Sequence, residues 1–186
     1  HIGIDDFGAI NSSRGAAYGN YILKGVADCI KECLSDKQKI YHLVADQYVI
    51  VDLEHSSEEY AAELKKMIDA RLYKFIVSEK YEAVFSISVG VVDAATACEG
   101  YEECRKKFAF VLKKAKKMGK NGFYIFDEND YESFLRTGKI VAELRNSVVN
   151  GFNGFEVYYQ PIVDCSSERV IGAEALMRFS MTSEED

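Results

Sequence analysis

Two short apolar runs rich in β-branched residues, 40–43 and 48–53, are separated by only Val44-Ala45-Asp46-Gln47. Four residues cannot carry a crossover, so the two runs must pair as an antiparallel hairpin. That hairpin fixes the middle of a sheet, and the rest of the pattern has to be built around it. Residues 2–5 read as a strand ending in the acidic turn Asp5-Asp6. From about 15 to 34, Tyr18, Ile22, Val26, Ile30 and Leu34 repeat at helical spacing. Ser56 and Glu59 fit a capping box opening a helix to about residue 77. In 83–92, Phe85, Ile87, Val89 and Val91 alternate with Ser86, Ser88 and Gly90, the period of a strand. A helix over 101–118, stopped near Gly119, and a short strand at 123–126 complete a β-α-β-β-α-β-α-β order. The expected fold class is α+β: a five-stranded sheet with a central antiparallel hairpin and covering helices.

A second region follows. Residues 128–151 read as a linker helix, with Phe134, Ile140, Val141, Leu144 and Val148 on one stripe. Gly151, Asn153 and Gly154 break it, and two strands at 155–163 and 170–179 follow. Two strands are marginal alone in water, so 152–186 reads as the opening of a second domain that is truncated here. The chain is expected to have further residues before His1. The net charge of −7 argues against duplex nucleic acid and anionic membranes as partners, and no apolar run reaches membrane-spanning length. The five cysteines lack any CxxC. They read as thiols of a reducing cytoplasm rather than a zinc site, although Cys29 and Cys33 share a helix face.

Four segments resemble the GGDEF family of diguanylate cyclases. They are Ile4-Asp5-Asp6-Phe7-Gly8-Ala9-Ile10-Asn11, then Gly19-Asn20, then Leu43-Val44-Ala45-Asp46-Gln47-Tyr48. The last combines Phe85-Ser86-Ile87-Ser88-Val89-Gly90-Val91 with Ala115-Lys116-Lys117-Met118-Gly119-Lys120-Asn121. The resemblance covers roughly residues 1–127. Family members join two GTP molecules into cyclic di-GMP across a dimer, with divalent metal between carboxylates and phosphates. The match is poor where that chemistry occurs. The first metal-binding Asp falls on Gly3, while Asp5 matches the second. The signature hairpin reads Val44, Ala45, Asp46, Gln47, Tyr48, so both glycines and one carboxylate are gone. Val44 is expected to tolerate positive φ poorly and to fill ligand space. Asn11 matches a guanine-reading Asn, but its Asp partner is Asn20, and an amide cannot accept both guanine N–H groups as a carboxylate does. Lys116 and Lys120 match phosphate-binding positions. Ser35 and Gln38 stand where the inhibitory R-x-x-D would be.

The resemblance therefore implies a degenerate GGDEF domain without catalytic residues of its own. Its vestigial nucleotide contacts are Asn11, Asn20, Lys116 and Lys120, and its vestigial metal ligands are Asp5 and Asp46. Mg²⁺ is expected only with a bound nucleotide. Each of these features has a plainer reading: an acidic turn, a helix cap, and a solvated basic helix face between Arg105 and Lys120. The tail, Tyr158-Tyr159-Gln160-Pro161-Ile162-Val163-Asp164 and Gly172-Ala173-Glu174-Ala175-Leu176-Met177-Arg178-Phe179, resembles the start of an EAL cyclic di-GMP phosphodiesterase. In a complete EAL domain Glu174 would bind metal, and Gln160, Leu176 and Arg178 would contact cyclic di-GMP. The expected function is a catalytically inactive regulatory or dimerising module of a cyclic di-GMP signalling protein in the cytoplasm. Its possible partners are weakly bound GTP and a second copy of the chain. The alternatives are a divergent active cyclase using Asp46 and Asp5, and a GTP-binding sensor.

Overall fold

The computed structural model describes residues 1–80 and 82–180. The chain divides into two compact units, the first His1–Asp127 and the second from Glu128 onward. In the first unit, β1 (Ile2–Ile4), β2 (Lys39–His42), β3 (Gln47–Val51), β4 (Ile87–Val91) and β5 (Phe123–Ile125) form one sheet of order β2-β3-β1-β4-β5. All neighbours are antiparallel except β4 and β5, which are parallel. The α+β five-stranded sheet is as the sequence predicts, but the β2–β3 hairpin lies at one edge of it, with β2 outermost, rather than at its centre, because β1 and not β2 inserts between β3 and β4.

Alternation along the strands sorts the helices onto two faces. Ile2, Ile4, Ile87 and Val89 join Tyr48 in a core with Ile22, Val26 and Ile30 of α2 (Ala16–Lys31) and Leu64, Ile68 and Leu72 of α3 (Glu58–Ser78). Gly3 and Gly90 face the opposite way, against α5 (Tyr101–Lys117). The Tyr48 hydroxyl, deep in the core, donates to the Leu23 carbonyl at 2.8 Å. Burial first, and the Asp46 charge second, push its pKa up to about 12.

Gly90 sets how closely α5 approaches the sheet. A Cβ there would lie 2.6 Å from the Val111 carbonyl carbon and 2.7 Å from the Leu112 nitrogen, both backbone atoms. Gly90→Ala is expected to destabilise the domain by about 2–3 kcal/mol through overpacking. A urea titration measures it, and a midpoint equal to that of the parent chain would contradict this packing.

Several expectations are corrected. The turn at Asp5-Asp6 is present, but a helix the sequence reading did not assign, α1 (Phe7–Arg14), follows it and precedes α2; Gly15, at φ 83, separates the two. The strand expected from 83 begins only at Ile87, and α4 (Ala94–Ala97) follows it. Ser57, not Ser56, caps α3, accepting from Tyr60 N at 3.2 Å. The residue with positive φ in the hairpin turn is Ala45 (φ 51), not Val44. Five free thiols were expected, yet Cys98 and Cys104 form a disulfide, because entry into α5 brings their Cα atoms to 5.2 Å. Cys29, Cys33 and Cys165 are free, and burial pushes the Cys29 thiol up to about 11.

The second unit consists of α6 (Glu128–Val149) and the antiparallel pair β6 (Phe155–Asp164) and β7 (Arg169–Phe179). Phe134, Val141 and Val148 of the α6 stripe are exposed. No described helix is long and apolar enough to cross a membrane.

Candidate functional site

The cleft of interest lies where the end of β1, the β2–β3 turn and the C-terminal part of α5 converge. The turn is closed by Leu43 N donating to Gln47 O at 2.9 Å and Gln47 N to Val44 O at 3.0 Å. Ile4 N donates to Asp46 O at 3.2 Å, tying the turn to β1. Ala45 in left-handed geometry carries a penalty of about 1 kcal/mol that glycine would not. Val44 is exposed. The Gln47 amide oxygen is 3.1 Å from Nε2 of His1.

Lys116 is the centre of the cleft. Its Nζ donates to Asp46 Oδ2 at 3.0 Å and to the Ile4 carbonyl at 3.1 Å. The lysine passes directly over Gly3: a Cβ there would lie 2.8 Å from its Cε and 2.9 Å from its Nζ. Lys116 and Asp46 are thus brought together, and the place of a side chain at residue 3 is filled by the lysine stem.

Asp5 is elsewhere and is fully engaged. It is 6% exposed; Oδ1 accepts from Ser88 Oγ at 2.7 Å, and Oδ2 from Ser86 Oγ at 2.6 Å and Asn121 N at 2.9 Å. Asn121 in turn accepts from the buried Lys65 at 2.6 Å. Lys120 pairs with Asp6 on the surface, and that carboxylate, through its hydrogen bond before its charge, raises the lysine pKa. The Asn11 Oδ1 is buried without a hydrogen-bond partner and lies against Gly19, where any Cβ would collide with it. Asn20 is exposed on α2. Gln38, buried, accepts from Ser35 N at 2.9 Å and donates to Asp52 and to Tyr60 OH, so this pair braces a turn. Among the described residues, no three His, Cys, Asp or Glu side chains cluster to hold a metal ion.

In the second unit, Gln160 is paired directly with Glu174, Tyr158 with Leu176 and Glu156 with Arg178. Directly opposed residues project to the same face and alternate ones share it. Gln160, Glu174, Leu176 and Arg178 therefore line one face of the ribbon. The sequence reading did not pick out Ser86, Ser88, Gly90 or the Lys116–Asp46 pair as partners. Only the small residues alternating through 86–90, on and just before β4, carried a signal for the first three.

A five-stranded mixed sheet with this hairpin turn, its helices divided between the two faces, defines a nucleotidyl cyclase-like domain. The family model "Diguanylate cyclase, GGDEF domain" matches residues 1–122, and the chain belongs to the GGDEF family. Cyclic di-GMP phosphodiesterase NbdA of Pseudomonas aeruginosa is 27% identical over 177 residues, covering 95% of this chain but 22% of that protein. The chain thus spans about a fifth of that relative. The isolated GGDEF domain of TpbB (YfiN) from P. aeruginosa superposes with a TM-score of 0.63 at 18% identity, over 72% of this chain and 78% of that one. Vibrio cholerae LapD, a GGDEF-EAL structure bound to c-di-GMP, gives a TM-score of 0.50 at 13% identity, over 98% of this chain and 43% of that one. At these identities the structural likeness is one of fold.

Proposed function

We propose that residues 1–127 form a GGDEF domain that makes no cyclic di-GMP. It acts as a regulatory or dimerising module in the cytoplasm, joined through α6 to the start of an EAL phosphodiesterase domain. The observation that carries this reading is Gly3 beneath Lys116: the cleft has one carboxylate, Asp46, and that carboxylate is already paired. Two phosphate-bound metals between carboxylates cannot be assembled from that set. Asp5 offers no replacement, because its oxygens are taken by Ser86, Ser88 and Asn121. The EAL reading is supported by the common face of Gln160, Glu174, Leu176 and Arg178. NbdA, a phosphodiesterase similar to 95% of this chain, supports it further. The exposed apolar positions Phe134, Val141 and Val148 of α6 suit the coupling or dimerising role.

A GTP-sensing module is the second reading, and Asn11 favours it. Its buried, unpartnered oxygen is an acceptor that a guanine N–H could satisfy. Calorimetry with GTP and Mg²⁺ separates the two. The scaffold reading expects binding no tighter than about the millimolar range, because Asn20 lacks the second acceptor and Lys116 and Lys120 are both ion-paired. A dissociation constant in the low micromolar range, lost in Asn11→Ala, would establish the sensor instead.

A further inference from the structure

We propose that the Lys116 ammonium is a built-in cation that takes the place of a divalent ion between β1 and the hairpin turn, making this cleft refractory to Mg²⁺ and Mn²⁺. The inference rests on the GGDEF reading above for the expectation of a metal, and on the cleft itself for the outcome.

The oxygens that Lys116 Nζ meets are the Ile4 carbonyl and the Asp46 carboxylate, hard donors of the kind such ions select. Both are held by one ammonium, at 3.1 and 3.0 Å. The Asp46 side chain is 17% exposed, and the lysine supplies the positive charge it would otherwise draw from solution. An incoming divalent ion would have to displace that ammonium or sit beside it, and like charges at such separations repel strongly. It would gain one carboxylate, too few ligands to offset the loss of its hydration shell.

The residues present therefore do not fit a metal, and the misfit is specific. The end of Lys116 occupies the space beside residue 3; a Cβ there would lie 2.8 Å from Cε and 2.9 Å from Nζ, so a side chain at 3 would require the lysine end to shift. Glycine at 3 and lysine at 116 form one linked arrangement, in which the small residue admits the lysine stem and the amine neutralises Asp46. The same ammonium joins three elements that are distant in sequence, β1, the turn and α5. Its role is to hold the cleft closed in a charge-balanced state without an ion.

The test uses the whole chain and Mn²⁺ as the probe, without nucleotide, so that it reads the cleft independently of any turnover of GTP. Wild-type protein titrated with Mn²⁺ and followed by electron paramagnetic resonance should leave the ion free up to millimolar concentration. The double variant Gly3→Asp/Lys116→Met restores two carboxylates and a carbonyl with no ammonium, and should bind Mn²⁺ at least tenfold tighter, with the gain abolished by adding Asp46→Asn. Sub-millimolar Mn²⁺ binding by the wild type that Asp46→Asn removes would overturn the proposal. So would a folded double variant that binds no better than wild type. Wild-type melting, compared in MgCl₂ and NaCl of equal ionic strength, gives a second readout should the variant fail to fold. No divalent-specific shift is expected, and an upward shift of several degrees that depends on Asp46 would contradict the proposal. Production of cyclic di-GMP by a wild type that binds no Mn²⁺ would refute the inactive-module reading while leaving this one standing.

Discussion

Asp5→Ala is expected to destabilise the domain by about 3–4 kcal/mol. The carboxylate is 6% exposed and accepts three hydrogen bonds, from Ser86 Oγ, Ser88 Oγ and Asn121 N, at 2.6, 2.7 and 2.9 Å. Hydrogen bonds to an ionised group contribute about 1.5–3 kcal/mol each, and their sum is reduced by partial relaxation. Alanine would leave all three donors without an acceptor, and Ser88 is wholly buried, so water cannot easily replace the lost oxygen. Asp5→Asn keeps the shape but offers one oxygen and turns an amide NH₂ toward a donor, so it should lose about half as much. Denaturant unfolding with an unchanged slope measures both. A loss below about 1 kcal/mol for Asp5→Ala would mean that the carboxylate is not the junction between β1, β4 and the loop after α5. The prediction separates two reasons for an Asp at this position: here it braces the fold.

The sheet was legible because its signals are local. Four residues between two β-branched runs leave only a hairpin, and the alternation of Ile87 and Val89 with Ser88 and Gly90 is written out in the sequence. Helix α1 was hidden because it buries only Ile10, so no apolar stripe marks it, and Gly15 splits what periodicity reads as one helix start. Cys98 and Cys104 carry no recognised spacing; they meet because the chain turns into α5 between them. Membership of the GGDEF family was legible as a resemblance, but the arrangement of side chains around Lys116 was not. That Lys116 lies over Gly3 and binds Asp46 depends on three elements meeting in space, with Lys116 separated by 112 positions from Ile4 and by 70 from Asp46. The serine partners of Asp5 lie 81 and 83 positions away. Pairings of that range leave no periodic trace.

Turnover of GTP should be absent, and by a wide margin. The cleft lacks a carboxylate at Gly3, and Gln47 supplies a neutral amide at the second acidic position of the hairpin. Each such loss typically costs on the order of 10²–10³ in rate, roughly 3–4 kcal/mol. Two together lower the rate by about 10⁴ or more even where the effects overlap. Ala45 in left-handed geometry and the exposed Val44 add bulk where glycines would let backbone approach a nucleotide. The survivors do not compensate, since Lys116 is held by Asp46 and Lys120 by Asp6. The most direct test incubates the chain at micromolar concentration with millimolar GTP and Mg²⁺, and separates the products by chromatography. The account predicts no cyclic di-GMP above the protein-free background. Multiple turnovers of product that disappear in Asp46→Ala would contradict it.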